Sequence, residues 1–386
     1  MFYEHIQHIP LQLVLFFILY GITGVVPLIA AVYLLLRRGN AFAPDTTPPL
    51  RLRRWTTAFF GVAALGHVWW LAIYVFSDDI RSLDDMFRSV SYVAAVLFDS
   101  MTLLATIVGM LLAMLQDRRR PVWPVFVAMT PFVALGGVLI VSPNERLLEI
   151  AVAYILLLYA IFSVYVTLAV RQYGRWLRDN YADLERKEVW LTHVLSLVFM
   201  LLFILYAVVD TDTVLIYLMH AIELILFGFL LWRVEPLPQL DSIPAPDPSP
   251  KEKSVSTVDL EQIERLLKTH CVDKQLYLQH DLSLQQLALA VGTNRSYLSQ
   301  YFSRQGITYN TYINNLRINH FISRYQALVA TGQTIVAQEL AYESGFSSYR
   351  TFSRAFTQRM DQSVTTWMGD MRGGIISQNK QDSFLL

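Results

Sequence analysis

Apolar positions crowd into seven long runs before residue 233, and after residue 257 they recur at helical spacing among polar residues. The long runs are Leu11–Leu36, Thr56–Phe76, Val90–Leu115, Val122–Ser142, Leu148–Val170, Val189–Val209 and Thr213–Trp232. A bilayer core is crossed by about 20 helical residues, because backbone polar groups find no water there and must bond within the helix. Each run reaches that length, so the pattern predicts seven membrane-spanning helices. Residues 234–256 follow as VEPLPQLDSIPAPDPSPKEKSVS, where Pro236, Pro238, Pro244, Pro246, Pro248 and Pro250 rule out a helix or a central strand. They predict an extended spacer of roughly 60–70 Å if wholly polyproline II.

Beyond Thr257 an opening helix is expected near Asp259–Thr269, and two similar units follow. In the first, SLQQLALAVGTNRSYLSQYFSRQG, Ser283 suits an N-cap. Leu284, Leu287, Ala288 and Val291 form one apolar face, Gly292 makes a turn, and Asn294 caps a second helix. In the second, TIVAQELAYESGFSSYRTFSRAFTQR, Thr334 takes the capping place, and Leu340, Ala341 and Gly345 repeat Leu287, Ala288 and Gly292. Leu298 and Phe302 recur as Phe352 and Phe356. Two helices joined by a glycine turn, the second with a polar free face, present a helix to the DNA major groove.

Composition sharpens this division. The chain of 386 residues is 54% hydrophobic and 16% charged, too apolar for a wholly soluble protein. The formal net charge of zero conceals local bias. The single cysteine, Cys271, excludes an intrachain disulfide and a cysteine-based zinc cluster. Cations concentrate in alternate connections: Arg37, Arg38, Arg51, Arg53 and Arg54, then Arg118, Arg119 and Arg120, then Arg171, Arg175, Arg178, Arg186 and Lys187, and finally Arg233. The other side holds Arg81, Arg88 and Arg146. Lys and Arg near span ends stay cytoplasmic, so the N-terminus is expected outside and everything after Arg233 in the cytoplasm.

Ionisable residues inside the runs are costly in hydrocarbon and need a partner or water. His67, Asp99, His220 and Glu223 all lie roughly 10–15 Å from the expected outer ends. His220 and Glu223 share a helix face. The four are expected to converge either as structural pairs, Asp99 with His67 and Glu223 with His220, or as a pocket sensing a small ligand or a proton. A zinc site on His67, His220 and Glu223 is a third alternative. Asp210 and His193 are further costly residues. No catalytic residue, resident metal or cofactor is expected.

From Leu282 to Gln338 there is no Asp, Glu or Lys, while Arg295, Arg304, Arg317 and Arg324 are present, as suits a polyanion partner. Arg304 and Arg359 stand at helix ends and read as phosphate contacts or helix-dipole partners. The elements LALAVGTNRSYLSQYF, YINNLRINHF and ELAYESGFSSYRTFSRAF, over about residues 258–370, resemble the DNA-binding domain of the AraC/XylS family of bacterial transcription regulators. The sequence departs from that family's pattern at Asp361, where glycine is usual, and at Val364, where proline is usual. The resemblance implies tandem helix-turn-helix units reading successive major-groove segments. Carried onto matching positions, the base-reading residues are Arg295, Ser296, Ser299 and Gln300, then Tyr349, Arg350, Ser353 and Arg354.

The expected architecture is therefore all-α: a seven-helix transmembrane domain over residues 1–233, a linker over 234–256, a double helix-turn-helix domain over 257–372 and a tail over 373–386. The expected function is a non-enzymatic one-component transcription regulator in a bacterial inner membrane, with the bundle as sensor. Expected partners are double-stranded DNA, membrane lipid, a small ligand or proton, a second copy of the chain and RNA polymerase. Two alternatives remain open: a metal-dependent membrane hydrolase fused to a regulator, and a bundle that merely anchors. The His residues on the second and seventh helices resemble those of seven-helix metal-dependent membrane hydrolases.

Overall fold

The computed structural model describes residues 11–37, 47–76, 90–142, 144–185, 187–208, 213–234, 237–240 and 260–371. Arg38, Arg81, Arg88, Arg186, Asp210, most of the proline-rich linker and the tail from residue 373 lie outside them. Contacts divide the chain into two units, Met1–Tyr173 with Val189–Ile243, and Gly174–Glu188 with Pro244–Leu386. Among the described residues no strand forms, and an isolated antiparallel bridge joins Tyr181 to Ser283.

Among its described residues the first unit has the helices α1 (Leu11–Leu36), α2 (Leu50–Phe76), α3 (Val90–Met114), α4 (Trp123–Val141), α5 (Glu145–Asn180, whose last residues belong to the second unit), α6 (Trp190–Val208) and α7 (Thr213–Val234). Each overlaps one of the apolar runs, and α5 continues ten residues past the expected end at Val170, to Asn180. Among the described residues α1, α3, α4, α5 and α7 are long and apolar enough to cross a membrane. Helix α2 begins at Leu50 rather than at the expected Thr56, taking Arg51, Arg53 and Arg54 into its first turns. The reason lies at the end of α1, whose last carbonyls lack helical partners. Arg53 donates to two of them, Leu34 O at 2.6 Å and Leu35 O at 3.1 Å.

Neighbours in sequence pack as neighbours from α1 to α4, and α6 packs on α7. Helix α7 then closes against both α1 and α2. Phe227 of α7 meets Phe59 and Phe60 of α2, with ring centroids 6.2 and 5.7 Å apart. A Cβ on Gly24 would stand 3.1 Å from the His67 Cβ, so glycine there admits a close approach of α1 to α2. Large apolar side chains point outward in quantity, among them Ile18, Ile22, Val25 and Ile29 on α1 and Leu157, Ile161, Val164 and Leu168 on α5.

The second unit holds α8 (Leu260–Leu267), α9 (Leu284–Val291), α10 (Arg295–Arg304), α11 (Tyr309–Ala330), α12 (Ala337–Glu343) and α13 (Tyr349–Met360), with a further helical stretch over 364–371. Ser283 caps α9 in a reciprocal box with Gln286, Gly292 ends it at φ +73°, and Asn294 caps α10. Thr334 does not cap α12. That place falls to Val336, which has no side-chain oxygen, and the acidic Glu339 in the first turn faces the positive end of the helix instead.

One hydrophobic core gathers α8 to α10 with Tyr309 and Ile313, and a second gathers Ile318, Phe321 and Tyr325 with α12, α13, Val364 and Trp367. Helix α11 thus serves both cores. Arg317 sits between them, fully buried, donating to Tyr277 O at 2.8 Å and Gln279 O at 2.7 Å. Burial pushes its guanidinium down to about 10. Its expected place among DNA-facing cations is therefore corrected: Arg317 is an internal strut with no outward face.

Candidate functional site

The polar faces of α10 and α13 follow from the burial of their opposite faces. Leu298, Tyr301 and Phe302 anchor α10 in the first core, and Phe352 and Phe356 anchor α13 in the second. On α10 this leaves Ser296 and Ser299 exposed and Arg295 and Gln300 half-buried. On α13 Tyr349, Arg350 and Arg354 are exposed and Ser353 is half-buried, and together with Thr357 and Gln358 they line a shallow open groove. Every base-reading candidate thus stands on the second helix of a unit, with its side away from the core.

The remaining arginines divide by partner. Arg359 donates to Asn315 O and Asn319 Oδ1, both at 2.6 Å, and so clasps α13 to α11. Arg324 pairs with Glu343 at 3.7 Å. Arg304 stands in the last turn of α10, where a cation meets the negative helix end. Asp361, the departure from the expected glycine, adopts φ +54° and closes α13 in the left-handed region that glycine favours, and Val364 is buried in the second core.

Residues 287–369 match the family described as a helix-turn-helix domain. They form an AraC-type helix-turn-helix domain. An uncharacterized HTH-type transcriptional regulator of Staphylococcus aureus (strain COL) is 32% identical over 110 residues, which cover 28% of this chain and 14% of that protein. The corresponding protein of strain MSSA476 shows the same identity and coverage, and a further Staphylococcus aureus regulator is 29% identical over 110 residues. The chain thus spans 14% of the length of these relatives. No solved structure matches it. The AraC-type domain lies in the second unit, and none of its match extends into the apolar helices.

In those helices the structure brings together three of the four expected residues. Glu223 Oε2 lies 3.7 Å from His67 Nε2 and 3.4 Å from His220 Nδ1, and the three ligand atoms fall within 4.8 Å of one another. Asp99 is set beside them, accepting a hydrogen bond from Trp70 Nε1. The structural pairing of Asp99 with His67 is therefore corrected, since the His67 ring turns to Glu223. Its Nδ1 lies 2.8 Å from Ala63 O, and because a carbonyl only accepts, the neutral ring carries its proton there and keeps a lone pair on Nε2. Thr23 and Tyr20 of α1 complete the surroundings: Thr23 Oγ1 is 3.4 Å from His220 Nδ1, and Tyr20 donates to His67 O at 2.6 Å. Sequence reading missed both, as a hydroxyl within an apolar run carries no signal until its neighbour is known. His193 is buried in the same unit and meets Thr167 Oγ1 at 2.9 Å.

Proposed function

We propose that this chain is a membrane-embedded one-component transcription regulator that binds double-stranded DNA sequence-specifically through α10 and α13 and senses a signal in its helical bundle. The observation that carries DNA reading is the outward set Arg295, Ser296, Ser299, Gln300, Tyr349, Arg350, Ser353 and Arg354, each backed by a core residue on the same helix. Membrane embedding is supported by apolar side chains that face outward along whole helices, a surface that water would disfavour. The cation pattern supports a cytoplasmic second unit in a bacterial inner membrane, where it reaches the chromosome and RNA polymerase, and repeated half-sites would engage a second copy of the chain. Selection of bound duplexes from a random pool by the full chain in lipid nanodiscs tests the reading. A recurrent sequence motif among the bound duplexes is expected, and an unenriched pool would refute it.

The sensing role rests on His67, His220 and Glu223 meeting from two helices beside Asp99, since ionisable residues are costly within a membrane and mark functional sites there more often than in soluble proteins. Replacing His67, Asp99, His220 and Glu223 together should abolish signal-dependent expression, and unchanged regulation would return the bundle to an anchor. A specific observation favours a divalent ion as the ligand. In a tetrahedral zinc site with bonds of about 2.0–2.1 Å, neighbouring ligand atoms stand about 3.3–3.4 Å apart, and the separations from Glu223 are 3.4 and 3.7 Å. In the neutral ring the Ala63 carbonyl leaves the His67 Nε2 lone pair facing Glu223, and either a proton on Nε2 or a cation between the two satisfies both groups. Elemental analysis of the purified chain decides this reading. Stoichiometric zinc lost in His67→Ala supports it, and metal-free protein removes both the ion and the hydrolase alternative.

A further inference from the structure

The second unit contains a piece of chain outside the helix-turn-helix match: residues 174–188, the end of α5 and the connection that follows it toward α6. Its hold on the domain is extensive. Ala182 is fully buried in the first core, and its amide donates to Leu282 O at 3.3 Å. Asn310 Nδ2 donates to Tyr181 O at 3.2 Å and to Ala182 O at 2.6 Å. Lys187 Nζ reaches Asp281 Oδ1 at 3.0 Å.

What this segment covers is the face assigned above to DNA. Asn180 Oδ1 accepts from Arg295 Nε at 2.9 Å and from Arg295 Nη2 at 2.6 Å, occupying both donors of a fork that would otherwise grip a base edge or a phosphate. At the start of α13, Glu185 accepts from the hydroxyls of Ser348 and Thr351, the latter at 3.2 Å. Ser348 is the N-cap of that helix, so a carboxylate sits at the positive helix end where DNA would set a phosphate. Glu188 pairs with Arg354 at 3.7 Å, and Thr351 Oγ1 lies 3.5 Å from Asp183 Oδ1. Both recognition helices are thus engaged at once, by an amide oxygen on the first and by carboxylates on the second.

We infer that residues 180–188 are an internal DNA mimic: a docked segment that competes with double-stranded DNA for α10 and α13, so that the domain binds DNA when the segment leaves. The inference rests on the DNA-binding reading above and adds its regulation. The segment's two ends continue into α5 and α6, so a rearrangement of those helices is the natural means of withdrawing it. A like-charged strand cannot share the face with Glu185 and Glu188, which makes docking and DNA binding mutually exclusive.

The test uses the full chain in lipid nanodiscs and a random-sequence duplex as probe. E185A/E188A should tighten binding by about tenfold or more, equivalent to about 1.4 kcal/mol of docking removed. E261A/D273A deletes the same charge from exposed positions outside the segment, on α8 and in the stretch after it, and should change binding less than about twofold, an effect of net charge alone. Equal gains in the two double variants, or no gain in the first, overturn the inference. In the unmodified chain, saturating duplex should also accelerate hydrogen exchange at the Ala182 amide, and unchanged protection there means that the segment stays in place and the inference fails. If neither protein retains any duplex, the DNA-binding reading falls, and the mimic with it.

Discussion

The Arg317 guanidinium lies 5.5 Å over the ring of Phe346, joining a residue that serves both cores to the turn that precedes the second recognition helix. The approach is close. Gly345, at φ +90°, leaves no room for a side chain, as its Cβ would stand 2.8 Å from the Leu278 Cα. Arg317→Met keeps the stem and removes the two bonds to Tyr277 O and Gln279 O. It should cost about 3 kcal/mol of domain stability, because buried carbonyls lose their charged donor. Denaturant melting reads that loss, while the sequence preference of the folded fraction stays unaltered. A changed preference with unchanged stability would restore Arg317 to the DNA face.

Arg350 and Arg304 should separate by role. Arg350, exposed on the groove of α13, is expected to cost about 1–3 kcal/mol on a selected duplex when replaced by alanine, with preference relaxed at particular positions. Arg304→Ala, at the end of α10, should weaken selected and random duplexes alike and reduce the salt dependence. Fluorescence anisotropy at two salt concentrations distinguishes these outcomes, and equal losses on both duplexes for Arg350→Ala would make it a phosphate contact.

Cys271 is fully buried, and that burial pushes its thiol up to about 12 from the ordinary 9.0. The folded chain then holds the thiol proton at pH values where the unfolded chain has released it, so stability is intact below pH 9 and declines as pH rises from there toward 12. Alkylation by iodoacetamide at pH 8 should be slow in the folded protein and fast in denaturant. Rapid labelling under native conditions would place the thiol at the surface.

Asp361 closes α13 in a left-handed conformation that costs an ordinary residue about 1–2 kcal/mol. Asp361→Gly should therefore raise the stability of the domain by about 1 kcal/mol or less, as glycine's own entropy offsets part of the gain. A higher thermal midpoint with unchanged DNA binding is the expected result, and a lower midpoint would mean that the aspartate side chain stabilises the turn.

Helix identity and capping were legible where the information is local. Ser283 with Gln286, and Asn294 with the amides of Ser296 and Tyr297, depend on residues within three positions, and the structure forms both caps as the pattern predicts. Thr334 has the oxygen of a cap but not the place of one, because a capping oxygen matters only where a helix starts, and α12 starts after Val336. Segment 180–188 is hidden in the sequence because the cations in and just before it, Arg178, Arg186 and Lys187, look like an ordinary cytoplasmic connection; the signal available is the presence of Asp183, Glu185 and Glu188 beside them.

By itself, then, the amino-acid order determined that this chain is helical, that its first part is apolar enough for lipid, and that its last part carries paired helix-turn-helix units. Periodicity, caps and glycine turns act over a few residues and need no partner from afar. Tertiary structure alone decided which arginine is a strut and which faces outward, which three of four ionisable residues meet, and that Asn180 reaches Arg295 across 115 positions of sequence. A guanidinium has the same chemistry in every case, and its role is set by what the folded chain places opposite it.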